Sequence, residues 1–179
     1  GVSTDAWRVA ADNSSIEVYG RNAFMTGTNL TSFGNTHMGF GLHGDSWMCA
    51  YVSCTVNGTP RNYSSSGSGF GTRGFHNKLI GCRAFNCKYG IISEDEYPHQ
   101  FHDILIDGCA VENASENAYR CAKIGAGDSC RRIEINNCSF HATGPRVMDV
   151  QDFDIMDINS TVLRAGGSTA GQVIVSYQD

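Results

Sequence analysis

Apolar residues recur in this chain at fixed places within a short phrase. Tyr51-x-x-Cys54-x-Val56, Leu79-x-x-Cys82-x-Ala84, Ile106-x-x-Cys109-x-Val111 and Ile135-x-x-Cys138-x-Phe140 share one spacing, and Ile158-x-x-Thr161-x-Leu163 repeats it with Thr in the cysteine's place. Successive phrases are offset by 28, 27, 29 and 23 residues. A period in this range marks stacked repeats, in which no unit buries its apolar face without a neighbour. Ahead of the bend, Ile104 and Ile106, Ile133 and Ile135, and Met156 and Ile158 alternate with other residues, the period of two that a strand requires. The cysteine follows a short bend, and a second strand carries the apolar residue two positions on. A third short strand is predicted later in each unit, at Phe40-Gly-Leu42, Phe70-Gly-Thr72, Tyr89-Gly-Ile91, Tyr119 to Ile124, Val147 to Val150 and Val173 to Val175.

Short strands parted by turns, with no helical crossover, predict an all-β fold: a right-handed parallel β-helix, or solenoid, of about six coils, one repeat per coil. No Pro/Gly-rich linker divides residues 1–179, so a single domain is expected. Gly1 rather than Met opens the chain, as expected of one that was processed, tagged or cut from something longer. Ile16-Glu-Val18 begins an early coil. Asn86 and Asn113, each four residues after a phrase cysteine, predict a short asparagine column at a turn, where stacked amides satisfy one another. A competing reading makes Ser115 to Gly125 a helix, with Ser115 as its cap, Gly125 as its end, and Ala118, Cys121 and Ala122 on one side.

Composition supports strands and turns. Glycine is abundant at 21 residues, whereas the strong helix formers Leu, Glu and Lys are sparse. Net charge is −5 and charged residues make up 17%, with no basic run or stripe, which argues against a nucleic-acid partner. No apolar stretch approaches the roughly 20 residues of a membrane span, so no membrane insertion is expected, and no signal peptide is visible. There are eight cysteines. Stacked strands lie about 4.8 Å apart, and parallel side chains in register do not readily supply the torsion of a disulfide. Cys54, Cys82, Cys109 and Cys138 are therefore read as a buried column of free thiols. Seven Asn-x-Ser/Thr triplets, at Asn13, Asn29, Asn57, Asn62, Asn113, Asn137 and Asn159, are read as turn chemistry rather than as glycan acceptors, because Asn137 abuts Cys138 and Asn113 and Asn159 recur in the repeated phrase.

With the coil period and the I-x-x-C-x-V phrase in hand, the chain resembles the pectate-lyase-like superfamily of parallel β-helices from about Ile16 to Val175. That resemblance implies a polysaccharide ligand. Polygalacturonase and alginate-epimerase motifs are missing: after Tyr89-Gly90, Ile91-Ile-Ser-Glu94 lacks the Asp-Pro-His of the epimerases. With free cysteines and no secretion signal, the likeness is to a bacteriophage tailspike or tail-fibre segment, virion-associated and extracellular in use, folded in a reducing cytoplasm, and commonly a homotrimer. The implied activity is binding and degradation of bacterial surface glycans by hydrolysis or elimination; the alternative is a non-catalytic glycan-binding or structural module.

Glycoside hydrolysis needs two carboxyl groups about 5 Å apart for retention and about 6.5–9.5 Å for inversion, distances that one or two coil steps supply. The third strands are expected to project an outward column of His43, Arg73, Glu94, Lys123 and Asp149, with Ser93 or Asp95 replacing Glu94 if the register slips by one. Glu94 and Asp95 are the acid/base candidates, Asp149 their partner, and Glu96 and Asp128 reserves. Arg73 and Lys123 are candidate holders of an acidic sugar, with His99, Tyr97 and Trp47 also substrate-binding. For elimination, Lys123, Arg120, Arg131 or Arg132 would neutralise a sugar carboxylate near His99 or Tyr97. Trp7, Tyr63 and Tyr119 are further stacking candidates. His99-x-x-His102-Asp103 lacks a defined third ligand, so neither metal nor cofactor is expected.

Overall fold

The computed structural model describes residues 16–18, 23–33, 38–42, 46–58, 67–94, 103–122, 130–144, 146–151, 153–166 and 172–176. All regular structure among them is strand, arranged as a parallel β-solenoid. Each repeat contributes an opening, a middle and a closing strand, and each class forms its own sheet. The opening sheet has six strands, from Thr26–Thr28 to Phe153–Asn159; the middle sheet has six, from Thr31–Phe33 to Val162–Ala165; the closing sheet has seven, from Ile16–Val18 to Gln172–Ser176. Every strand pairs in parallel with its counterpart in each adjacent repeat, the first and last strand of each sheet on one side only.

The repeated phrase sets the register. Gly27, Tyr51, Leu79, Ile106, Ile135 and Ile158 stack in one column of the opening sheet. Ser32, Val56, Ala84, Val111, Phe140 and Leu163 stack in the middle sheet. Gly27-x-x-Leu30-x-Ser32 is thus a further copy of the phrase, hidden because Gly, Leu and Ser replace its usual residues. The bend between opening and middle strands is a single left-handed residue in every copy: Asn29, Ser53, Gly81, Gly108, Asn137 and Ser160 have φ between 48° and 62°. Gly adopts that conformation freely and Asn at low cost, and Ser is small, which explains the small residue always found just before the cysteine position.

Behind that bend the cysteines form the predicted file. Cys54, Cys82, Cys109 and Cys138 are all buried and free, and each thiol reaches a backbone carbonyl of the preceding repeat: Cys54 to Gly27 O at 3.5 Å, Cys109 to Leu79 O at 3.5 Å and Cys138 to Ile106 O at 3.6 Å. Cys82 Sγ also donates to Tyr51 O at 3.3 Å and Cys138 Sγ to Asn136 O at 3.1 Å, so these small hydrophobes leave no idle polar atom in the core. The asparagine column also forms: Asn113 Nδ2 donates to Asn86 Oδ1 at 3.2 Å, and Asn86 Nδ2 to Asn57 Oδ1 at 3.0 Å.

Closing strands enter the core at a corner too tight for a side chain. A Cβ on Gly90 would meet Val111 Cγ1 at 2.3 Å; on Gly39, Val56 Cγ2 at 2.4 Å; on Gly69, Ala84 Cβ at 2.7 Å. Beyond that corner Phe40, Phe70, Ile91, Tyr119 and Met148 stack inward. The helix reading of Ser115 to Gly125 is overturned, because Asn117–Ala122 is a closing strand. Tyr119 and Cys121 lie inside on either side of the partly exposed Arg120, and the neighbouring closing strands supply the hydrogen bonds that a helix would have made internally.

Candidate functional site

The closing sheet carries an open cleft of about 390 Å³ on its outer face, lined by Tyr89, Glu116, Asn117, Arg120, Arg146 and Asp149. Three neighbouring repeats build it. Tyr89 opens the strand Tyr89–Glu94, Glu116 and Asn117 stand at the start of Asn117–Ala122, and Arg146 and Asp149 belong to Arg146–Gln151. Arg120 pairs with Ile92 on one side and with Asp149 on the other. Because Tyr119 and Cys121 face the core, alternation sends Arg120 outward into the cleft.

The tyrosine is the floor of this site. Tyr89 is 5% exposed, and its hydroxyl donates to Glu116 Oε2 at 2.6 Å. The Arg120 guanidinium sits over its ring at 5.1 Å and the Lys88 ammonium at 5.0 Å. Lys88 also pairs with Glu116 at 3.2 Å while its own side chain is only 12% exposed. Burial and the hydrogen bond to Glu116 push the Tyr89 phenol above its ordinary value. Burial alone would lower the Lys88 ammonium, but Glu116 and the Tyr89 phenol together outweigh it and raise it. Both groups therefore stay protonated near neutrality, and neither is tuned as a base. Across the cleft, Asp149 accepts from Gln151 Nε2 at 3.3 Å and faces the half-exposed Arg146 at 3.9 Å.

Of the residues expected from sequence, the structure brings Asp149 and Arg120 together and disperses others. The outward column does not form as expected: Asp149 is in register with Arg120 and Ile92, whereas Glu94 pairs with Ala122. Glu94 and Asp149 thus lie two strands and two residues apart, ~12 Å between backbones. Arg73 is 6% exposed, inside a corner where its carbonyl accepts from Ser46 Oγ at 3.1 Å and from the Asn77 amide. Tyr119 is fully buried and hydrogen-bonds Ser93 Oγ at 3.0 Å, so it is a core residue and not a stacking platform. Trp47 is exposed and packs on Phe24 with ring centroids 5.6 Å apart, on a different corner from the cleft. Arg132 bridges to Asp157 at 3.0 Å. Asp95, Glu96, Tyr97, His99, His102, Lys123, Asp128, His43, Trp7 and Tyr63 lie outside the described residues, as does the side chain of Arg131.

Sequence reasoning missed Tyr89, Glu116 and Arg146 as site residues. Part of the signal was present in the corner glycines: aligning Gly39, Gly69 and Gly90 with Ala118 sets the register of these closing strands and places Arg120 beside Ile92, while Arg146–Gln151 carries no glycine to extend the alignment to Asp149. Among the described residues no group of three His, Cys, Asp or Glu side chains is arranged to hold a metal ion. Comparison with protein-family models, with curated proteins and with solved structures finds no match.

Proposed function

We propose that this protein is a polysaccharide-binding β-solenoid that takes a glycan across the outer face of its closing sheet, in the manner of phage tailspikes and tail fibres. The observation that carries this reading is the open cleft in which Tyr89, Arg120, Arg146, Glu116 and Asp149 converge from three repeats. Sugars are recognised by apolar ring faces together with dense, oriented hydrogen-bonding groups. The Arg120 guanidinium, laid over the buried Tyr89 ring, gives a flat floor, and the two carboxylates and the Arg146 guanidinium give acceptors and donors around it. The parallel stack sets successive closing strands about 4.8 Å apart, so one extended polymer can touch residues of all three repeats at once. The buried free thiols favour folding in a reducing cytoplasm before deployment on a virion or cell surface. A homotrimer fits that setting.

Cleavage is the second reading, favoured by Glu116 and Asp149 lining one cleft. Their backbones are about four residues apart along the strand and one strand apart across it, ~14 Å, so only side chains leaning together reach the ~6.5–9.5 Å of an inverting pair. Binding is accordingly the conclusion. A panel of bacterial capsular and lipopolysaccharide glycans tests both. Binding by at least one polymer that weakens about tenfold or more in Arg120→Ala and Tyr89→Ala supports the reading. Equal binding by native protein and both variants contradicts it. Release of reducing ends, or absorbance near 235 nm from an unsaturated uronate, abolished by Asp149→Asn would establish the second reading.

A further inference from the structure

Two strands of this solenoid end on dipeptides prone to a spontaneous backbone reaction. Asn57 closes the middle strand Thr55–Asn57 and is followed by Gly58; Asp107 closes the opening strand Ile104–Asp107 and is followed by Gly108. Glycine has no side chain to hinder its nitrogen, so that nitrogen reaches the preceding side-chain carbon more readily here than in other dipeptides. Both sites are held by the next repeat in the same way. Gly58 N–H donates to Phe85 O at 3.1 Å and Gly108 N–H to Asn136 O at 2.9 Å. Asn86 Nδ2 donates to Asn57 Oδ1 at 3.0 Å, and Asn137 Nδ2 to Asp107 Oδ1 at 3.1 Å. Both side-chain bonds are exposed to solvent, so burial does not protect these sites and hydrogen bonding must.

We propose that Asn57 is a latent deamidation site, kept closed by the Asn86 rung of the amide ladder. In the reaction the Gly58 nitrogen loses its proton and attacks Asn57 Cγ, ammonia leaves, and a cyclic imide forms; water then opens either imide carbonyl, giving aspartate or isoaspartate. Attack requires Asn57 to rotate off Asn86 and the Gly58 nitrogen to leave Phe85 O. Donation from Asn86 also polarises the Asn57 carbonyl, which favours attack, but the held rotamer decides, because a carbonyl that cannot reach the nitrogen gains nothing from polarisation. Asn86 itself is bonded by Asn113 Nδ2 at 3.2 Å, so the lock is braced from a third repeat. This inference is independent of the glycan reading.

The native protein, Asn86→Ala and the free hexapeptide TVNGTP are incubated in parallel near neutral pH, where asparagine loses ammonia and aspartate loses water to the imide; acid and isoaspartate at position 57 and isoaspartate at position 107 are followed by peptide mass spectrometry after chromatographic separation of the equal-mass isomers. The peptide converts, and native Asn57 converts far more slowly. Asn86→Ala converts at position 57 about fivefold faster than native, the worth of one net hydrogen bond, while Asp107, locked by Asn137, keeps its native rate. Conversion of native Asn57 at the peptide's rate overturns the proposal, as does an unchanged rate in Asn86→Ala. Equal acceleration at both positions also overturns it, since that reports general loosening rather than loss of one rung.

Discussion

Left-handed backbone at single residues is what turns this chain into coils. Besides the six bends before the cysteine position, Phe24, Met48, His76 and Asp103 hold φ between 53° and 61° where a new repeat begins. Such a conformation strains a bulky residue, so it persists only where neighbouring repeats over-determine it. Met48 N–H donating to Phe75 O at 2.9 Å is part of that hold. At the same scale the thiols tie the fold to pH. Burial raises Cys49 above its ordinary value of 9.0. Hydrogen bonding to Cys82, then burial, raises Cys54; hydrogen bonding to Cys138 and Cys82, then burial, raises Cys109. For Cys49 the sign is unambiguous. Its folded value lies above its unfolded value, so its contribution is complete below about pH 9 and is lost as pH rises toward the folded value. Denaturant midpoints measured from about pH 7 to pH 10.5 are expected to fall above pH 9, by at most about 1.4 kcal/mol per pH unit for each raised thiol. The fall should be shallower in Cys49→Ala; an identical slope would show that Cys49 does not titrate on unfolding.

Strand geometry was largely legible from the chain. The I-x-x-C-x-V phrase has two periodicities, alternation within the strand and recurrence between repeats, and both reflect one inward face. The spacing alone therefore assigns Tyr51, Leu79, Ile106 and Ile135 to one column, and the strand register agrees. The closing strands were harder to read. They lack a cysteine marker, and their register depends on glycines that carry no hydrophobic signal. Without that register, Glu94 was expected in the same outward column as Asp149, its distant partner, although Ile92 is the residue that shares Asp149's row. The corner glycines thus position the cleft as well as the core. Gly90→Val is expected to destabilise the protein by about 3 kcal/mol or more, because the new side chain has backbone oxygen at 2.6 Å and Val111 on its other side and no flexible neighbour to move. Chemical denaturation checks this; a loss under about 1 kcal/mol would mean that the corner relaxes and does not set the register.

At the scale of the whole molecule, stacking converts short strands into a long ordered surface. Core columns run through successive repeats without a break, and Ile133, Ile135 and Phe140 are fully buried although each sits on a strand of seven residues or fewer. Among the described residues the inward positions open toward the ends: Leu30 in the first copy of the phrase is only partly buried, and Ile158 in the last is 37% exposed. Such a body works through its faces. The site was less legible than the fold because a column of like residues announces itself by repetition, whereas the cleft is made of residues that differ from one repeat to the next: Tyr89, Glu116, Arg120, Arg146 and Asp149. The measurement that bears most directly on the account is a crystal structure of the protein soaked with an oligosaccharide drawn from a polymer it binds. The account predicts sugar density over Tyr89, within hydrogen-bonding distance of Arg120 or Asp149. Density seated instead at the Phe24–Trp47 corner, or anywhere off the outer face of the closing sheet, would contradict it.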